Sequence, residues 1–185
     1  MNNNINLSDT NLSDTNLSDV NLFTNSSISA NSSTIIDKNV VYTGYFARMK
    51  DYIKYDFDHF IRITAYSPKY LAYANKIIDC KVFSQQQLGK VIDLAPDSSL
   101  LLHYKEDGNI SHYINEYGSK LKLFDAQEVY NLFKGSILLC FERYGDFCHR
   151  NLLTMWLLSY GFLAQEFIID TVNKNDSNKN ESILG

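Results

Sequence analysis

The chain has little of several features that mark common protein classes. Its 185 residues include three cysteines, two prolines and one tryptophan, and its formal net charge is only −4. An odd, low cysteine count argues against a disulfide framework and favours a reducing, intracellular (cytoplasmic) location. No run of about 18 apolar residues occurs, so we expect no transmembrane helix and no membrane partner. The first residues are polar and lack lysine and arginine, so we also expect no secretory signal.

An excess of charge of one sign is missing from the central part of the chain. Residues 40–170 hold 14 lysines and arginines against 15 aspartates and glutamates. Strong non-specific binding of nucleic acid usually needs a basic face. The charge therefore does not indicate a nucleic-acid partner, although a local basic patch would be compatible with one.

Composition divides the chain into three parts. Residues 1–36 are rich in asparagine, serine and aspartate, and repeat Asn-Leu-Ser-Asp from Asn6, Asn11 and Asn16. A leucine every five residues resembles the pentapeptide-repeat families, but the likeness covers only about one coil, and stacked repeats need several neighbours to bury a core. We therefore predict a disordered arm over residues 1–36 and a disordered tail over the polar residues 171–185.

Residues 37–170 carry the apolar segments of a folded domain. Short β-branched or apolar runs predict strands at 40–43, 60–65, 136–141 and 167–169. Helices are predicted at 110–123, at 126–133 with Asp125 as the N-cap, and from an Asp146 cap to about Gly161. Strands that alternate with helices predict a single α/β domain with a largely parallel sheet and flanking helices.

Reactive side chains gather between the predicted strand 136–141 and the helix that follows it. This loop carries Glu142, Cys148, His149 and Arg150. Ligands of open α/β sheets bind beyond the carboxyl ends of the strands, and helix N-termini favour anions. The pattern therefore predicts an anion-binding cleft at residues 142–150.

Three of these residues are candidate catalytic groups. Glu142 suits an acid–base role, Cys148 near a helix N-terminus suits a nucleophile, and His149 suits a general base. Neighbouring helical residues point about 100° apart, so we do not expect Cys148 and His149 to form a dyad with each other. The structural alternatives are a buried inert thiol, a hydrogen-bonded histidine and a glutamate that fixes the loop through an arginine.

Three further residues are candidate ligand-binding groups. Arg150 suits an anion clamp, and its structural alternative is an ion pair with Glu142 or Asp146. Arg62 and Ser67 flank the end of the second predicted strand. We expect both to face the same cleft as Glu142.

A metal site is a weaker interpretation of the same loop. Cys140, Cys148 and His149 could supply two sulfurs and a nitrogen, yet the close paired spacing of structural zinc ligands is missing. No Gly-rich phosphate loop and no Gly-x-Ser-x-Gly elbow occurs. We accordingly predict neither a metal nor a cofactor.

The loop also carries a family resemblance. Leu-Leu-Cys-Phe-Glu at 138–142, Cys-His-Arg at 148–150 and the apolar helix with Trp156 resemble the signature of the domain of unknown function 488 family. Weaker likenesses lie upstream, at 41–47, 61–64, 67–70, 94–96 and 113–117. The resemblance spans residues 40–165 and implies a compact, Rossmann-like α/β domain. It implies no activity.

These observations predict a protein that binds or processes a phosphate-bearing ligand, such as a nucleotide or a nucleic-acid end, at residues 142–150. The alternative is a non-catalytic binding module in which Cys148, His149 and Arg150 lock the corner between strand and helix. A nucleic-acid-binding protein is a second alternative, and a steep salt dependence of binding would distinguish it. The sequence predicts no oligomeric state.

Overall fold

The computed structural model describes residues 35–169 except Lys69 and Ala72. Apart from Ile35 and Ile36, the arm predicted at 1–36 lies outside the described residues, as does the tail predicted at 171–185. Within the described part, no helix is both long and apolar enough to cross a membrane.

The described chain alternates between strands and helices. The strands are β1 (Val41–Tyr45), β2 (Phe60–Arg62), β3 (Ile77–Asp79), β4 (Ile137–Cys140) and β5 (Ala164–Glu166). The α-helices are α1 (Met49–Tyr52), α2 (Cys80–Leu88), α3 (Ser98–Asp107), α4 (Ile110–Leu121), α5 (Ala126–Phe133) and α6 (His149–Ser159), and short 3₁₀ turns cover Phe46–Arg48 and Ala74–Lys76.

All five strands run parallel in one sheet, in the order β3-β2-β4-β1-β5. The α/β class with a parallel sheet is therefore confirmed. Strand β4 is central, pairing with β1 on one side and β2 on the other. Its four residues are all buried, which explains why its sequence is a continuous apolar run instead of an alternating one.

The two faces of the sheet carry separate apolar clusters. Because side chains alternate along a strand, Leu138 points to one face, and Ile137 and Leu139 point to the other. On the Leu138 face pack residues from all five helices α2 to α6. On the opposite face lies a smaller aromatic cluster, in which the side chain of Phe167 meets the ring of Tyr42 edge to face at 5.6 Å.

Helix caps follow the sequence in one place and depart from it in another. Asp125 caps α5, as predicted, accepting hydrogen bonds from the backbone N–H groups of Gln127 and Glu128 at 2.8 and 3.3 Å. The Asp146 cap was wrong: α6 begins after Cys148, and Asp146 Oδ2 instead accepts from the N–H of Arg143 at 3.2 Å. Asp146 closes a turn within the loop, two residues too early to reach the helix.

Most other differences between the predicted and the observed secondary structure concern short elements. The sequence analysis did not predict β3 or α3, and the last strand lies at Ala164–Glu166 instead of 167–169. A three-residue strand has too few positions to show alternation, and α3 has a weakly amphipathic sequence with one buried residue, Leu100. These segments depend on neighbours that lie far away along the chain.

The connections that follow β2 and β4 leave the sheet on opposite faces. The chain leaves β4 through α6, on the Leu138 face. It leaves β2 on the opposite face, where Leu71 packs against the aromatic cluster. Neighbouring parallel strands whose connections depart to opposite faces form the usual ligand-binding crevice of open α/β sheets.

Replacing two glycines of the described chain by alanine should change its stability in opposite directions. A Cβ at Gly44 of β1 would lie 2.8 Å from Tyr52 Oη and 2.9 Å from Ile137 Cδ1, whereas a Cβ at Gly118 inside α4 would contact nothing within 4 Å. Overpacking predicts that Gly44→Ala lowers the free energy of unfolding by about 1–3 kcal/mol. Gly118→Ala should raise it by about 0.5–1 kcal/mol, since alanine loses less backbone entropy in a helix. Urea unfolding measures both changes in the free energy of unfolding, provided that its dependence on urea concentration stays that of the wild-type protein. Equal effects of the two variants would contradict the close packing around Gly44.

Candidate functional site

The four residues Cys140, Glu142, Cys148 and His149 form a single cluster at the crevice. Each offers one sulfur, nitrogen or oxygen atom, and these atoms all lie within 4.8 Å of one another. We call them the donor cluster. Cys140, Cys148 and His149 are buried, and Glu142 is partly exposed.

Local backbone geometry explains how the donor cluster assembles. Cys140 is the last residue of β4, and Glu142 follows two residues later in the bend with which the loop begins. The loop then returns, and Cys148 occupies the N-cap of α6 in an extended conformation with φ −152° and ψ 146°. His149 is the first helical residue, so strand end and helix start bring all four side chains to one point.

The Cys148 conformation corrects one sequence-based inference. The 100° separation of neighbouring helical residues does not apply, because Cys148 is not itself helical. Cys148 Sγ consequently lies 3.6 Å from His149 Nδ1, and Cys140 Sγ lies at the same distance from that nitrogen. The two thiols and the imidazole are direct neighbours.

The imidazole of His149 is fixed from its other side. Its Nε2 lies 2.6 Å from the backbone carbonyl oxygen of Ile63, just beyond β2. The carbonyl can only accept, so Nε2 donates a proton to it, and Nδ1 faces the two sulfurs. The ring of Tyr117 packs edge to face on His149 at 5.5 Å and covers it.

Glu142 lies against both thiols. Its Oε2 is 2.5 Å from Cys140 Sγ and 3.2 Å from Cys148 Sγ. Burial would raise the pKa of Glu142, but the hydrogen bonds from the two cysteines outweigh it and lower the pKa. The carboxylate is therefore the ionised member of the cluster.

The two cysteines differ in acidity. Burial would raise the pKa of Cys148, but the proton donated by Cys140 and the proximity of His149 lower it to about 6. Burial raises the pKa of Cys140 far above its ordinary value, and the neighbouring Cys148 adds to the rise. Cys148 is therefore the more acidic of the two thiols.

Arg150 holds the loop in place. Its guanidinium is fully buried and donates to the backbone carbonyls of Glu142 and Arg143, both at 2.7 Å, and to Glu166 Oε1 at 2.9 and 3.1 Å. Its ion-pair partner is thus Glu166 of β5, not the predicted Glu142 or Asp146. These contacts with protein groups give Arg150 a structural part, and its role as an anion clamp stays a prediction.

The other two predicted ligand-binding residues are not brought into the donor cluster. Arg62 forms an ion pair with Asp79 on the neighbouring strand β3 and donates to the Thr64 carbonyl at 3.2 Å. Ser67 is exposed beyond the end of β2. Their ligand-binding roles stay predictions.

Sequence reasoning missed three partners of the site. Cys140 was considered as a sulfur donor but not predicted as a site residue, although its two-residue spacing from Glu142 could have indicated a shared side. Glu166 carried no such signal, because it reaches Arg150 only through the pairing of β5 with β1. The Ile63 carbonyl, 86 residues from His149 along the chain, could not be found from spacing at all.

Comparisons with known proteins add no relationship. No family model, no curated protein and no solved structure matches this chain. The resemblance to the domain of unknown function 488 family stays a prediction that depends on the motifs at 138–142 and 148–150.

Removing Arg150 should cost more stability than removing an exposed cation. Arg150→Ala leaves the half-buried Glu166 carboxylate and two loop carbonyls without their donor, so the free energy of unfolding should fall by about 3–5 kcal/mol. The matched control is Lys90→Ala, whose exposed pair with Glu128 should cost less than about 1 kcal/mol. Urea unfolding followed by Trp156 fluorescence compares them, and similar losses would refute the structural part of Arg150.

Proposed function

We propose that this chain binds one divalent transition-metal ion of the zinc class at the donor cluster. The observation that carries the proposal is the equal spacing of both sulfurs from His149 Nδ1, at 3.6 Å. With zinc–sulfur bonds of about 2.3 Å and zinc–nitrogen bonds of about 2.0–2.1 Å, a tetrahedral site separates sulfur from nitrogen by about 3.6 Å. The three buried donors thus already have the spacing that such an ion requires.

The donor types favour zinc-like ions over hard cations. Thiolate and imidazole suit zinc, cobalt and iron, while magnesium and calcium prefer oxygen ligands. Cys140, Cys148 and His149 supply two sulfurs and one nitrogen, and Glu142 supplies a carboxylate oxygen as the fourth ligand. A doubly charged cation would also neutralise the negative charge that two thiols and a carboxylate concentrate here.

The surroundings of His149 support the same function. Imidazoles that bind metals almost always donate their other N–H to a carbonyl or carboxylate, which fixes the tautomer. The hydrogen bond from His149 Nε2 to the Ile63 carbonyl is such a contact, and it aims Nδ1 at the sulfurs. It also links β2 to α6, so a bound ion would tie together three segments of the fold.

A metal-binding titration tests the proposal. Metal-stripped, reduced protein should bind one equivalent of Zn²⁺ with a dissociation constant of about 1 nM or tighter, as zinc sites with thiolate ligands do. Co²⁺ should give the absorption bands of a tetrahedral site with sulfur ligands, and either ion should raise the melting temperature. Cys148→Ser should weaken Zn²⁺ binding by at least about 100-fold, because one charged ligand is lost.

Cys80→Ser is the matched control for this titration. Cys80 is a buried, free cysteine at the start of α2 and lies outside the donor cluster. Its substitution should leave the stoichiometry, the affinity and the Co²⁺ spectrum unchanged. Binding of less than half an equivalent by wild-type protein, or equal losses in both variants, would refute the proposal.

A metal-free thiolate enzyme is the second candidate, and the observation that favours it is the contact of Cys148 Sγ with His149 Nδ1 at 3.6 Å. Although burial opposes the change, the neighbouring Cys140 and His149 lower the pKa of Cys148, and a thiol with a lowered pKa is a more competent nucleophile at neutral pH. Glu142 and His149 would then keep the acid–base roles predicted for them, and the phosphate-bearing ligand stays a prediction for this candidate.

Alkylation separates the two candidates. In metal-stripped protein, iodoacetamide should label Cys148 with a rate that rises through pH 6, and one equivalent of Zn²⁺ should protect it. Mass spectrometry with Cys148→Ala assigns the labelled site. Rapid labelling that Zn²⁺ does not slow would favour the thiolate enzyme over the metal site.

A further inference from the structure

We infer that Glu142 is an exchangeable ligand of the proposed metal site, and that its departure opens a coordination position at which water attacks an uncharged carbonyl or amidine substrate. This inference rests on the proposed metal function and adds to it a reaction class and a class of substrate.

Glu142 is more exposed to solvent than the other three donors. Cys140 is 1% exposed, and Cys148 and His149 are each 3% exposed, whereas Glu142 is partly exposed and its neighbours Phe141 and Arg143 are exposed. Solvent thus reaches the donor cluster from the Glu142 side. A small molecule would reach a bound ion by the same route.

The four donors also differ in how firmly the fold holds them, and Glu142 is again the exception. Cys140 belongs to the central strand, Cys148 is the cap residue of α6, and His149 is held by the Ile63 carbonyl. Glu142 lies in the irregular loop, where Arg150 holds its backbone carbonyl at 2.7 Å. The contacts of its carboxylate within the cluster are with the two sulfurs, which a metal ion would take over. The carboxylate can therefore rotate away while the backbone stays fixed.

The carboxylate of Glu142 is spaced differently from the sulfurs than the nitrogen of His149 is. Ligands with metal bonds of about 2.3 and 2.1 Å lie about 3.6 Å apart in a tetrahedron. Glu142 Oε2 is 2.5 Å from Cys140 Sγ and 3.2 Å from Cys148 Sγ, closer than that edge. Binding of an ion would therefore move the carboxylate outwards, and from there Glu142 would accept a hydrogen bond from a water in the fourth position.

The step that follows is a hydrolysis. The ion would lower the pKa of a water that it holds, Glu142 would accept a proton from that water, and the oxygen's electron pair would form a bond to the electrophilic carbon. For an ester or amide, the π electrons of the C=O bond would move to oxygen and then return to reform that bond while the bond from carbon to the leaving atom breaks, and Glu142 would give its proton to the leaving atom. For an amidine, Glu142 would first give its proton to the C=N nitrogen and would then carry the proton of the new hydroxyl group to the leaving nitrogen, as C=O forms and the bond from carbon to that nitrogen breaks. Two cysteines and one histidine on zinc, with a glutamate that is not a ligand, carry out this chemistry in zinc-dependent nucleobase deaminases.

The charge balance indicates an uncharged substrate. A divalent ion with two thiolates and a neutral imidazole has no net charge, and the single negative charge of Glu142 is formally balanced by the adjacent, exposed Arg143. The nearby Arg150 is already neutralised by Glu166. An anion such as the phosphate-bearing ligand predicted from the sequence would meet a carboxylate with no unpaired guanidinium from Arg150 to offset it.

The test uses full-length protein loaded with Co²⁺ or Zn²⁺. Glu142→Ala should retain one equivalent of Zn²⁺ with at most about 10-fold weaker binding, whereas Cys148→Ser should bind Zn²⁺ at least about 100-fold more weakly.

Acetohydroxamic acid, an uncharged mimic of a hydrated amide, should shift the Co²⁺ bands of wild-type protein, and inorganic phosphate should not. Zn²⁺-loaded protein should hydrolyse 4-nitrophenyl acetate, and Glu142→Gln should lower that rate by about 100-fold or more at unchanged metal content.

Glu116→Gln, on the exposed surface of α4, is the control and should change none of these values. Loss of Zn²⁺ binding in Glu142→Ala as complete as in Cys148→Ser would show a fixed ligand and overturn the inference, while the proposed metal function would stand. A Co²⁺ spectrum that shifts with phosphate but not with the hydroxamate, or an undiminished esterase rate in Glu142→Gln, would also overturn it. Absence of metal binding in wild-type protein would instead refute the proposed function.

Discussion

The buried guanidinium of Arg150 is the interaction on which the candidate site depends. From the first turn of α6 it reaches the carbonyls of Glu142 and Arg143 and the carboxylate of Glu166. It therefore fixes the loop after β4 to the helix that follows and to strand β5. A buried cation is tolerated only when its donors are satisfied, and here one carboxylate and two carbonyls satisfy them. This anchoring lets the side chains of Glu142 and Cys148 meet across the loop.

The donor cluster follows from that anchoring and from the topology of the sheet. Strands β2 and β4 are neighbours whose connections depart to opposite faces, so their carboxyl ends leave a crevice. The crevice receives Cys140 from β4 and, from the start of α6, Cys148 and His149. The carbonyl of Ile63, beyond β2, completes the hydrogen bonding of His149. A metal ion in this position would strengthen contacts that the fold already makes, and Glu142 remains the group at the solvent side.

Prediction from the sequence succeeded where the signal is local. The apolar run at 136–141 and the Asp125 cap needed only neighbouring residues, and both correspond to observed elements, β4 and the start of α5. Prediction failed where an element depends on distant neighbours, as for β3. It also failed at the start of α6, where Asp146 closes a turn within the loop and Cys148 occupies the N-cap position. In the site, the grouping of Glu142, Cys148 and His149 was predictable because they share one loop. Their mutual distances were not, because the backbone conformation of one residue, Cys148, decides them.

By itself, the sequence determined the parallel α/β class and placed the reactive residues beyond a buried strand, because both depend on periodicity and short spacing. The tertiary structure decided that Cys140 joins the donor cluster, that Glu166 forms the ion pair with Arg150, and that the Ile63 carbonyl orients His149. Each of these contacts joins segments that chain folding brings together, up to 86 residues apart. Hydrogen bonds and ion pairs over such separations depend on how strands are ordered in the sheet, which local residue patterns do not encode.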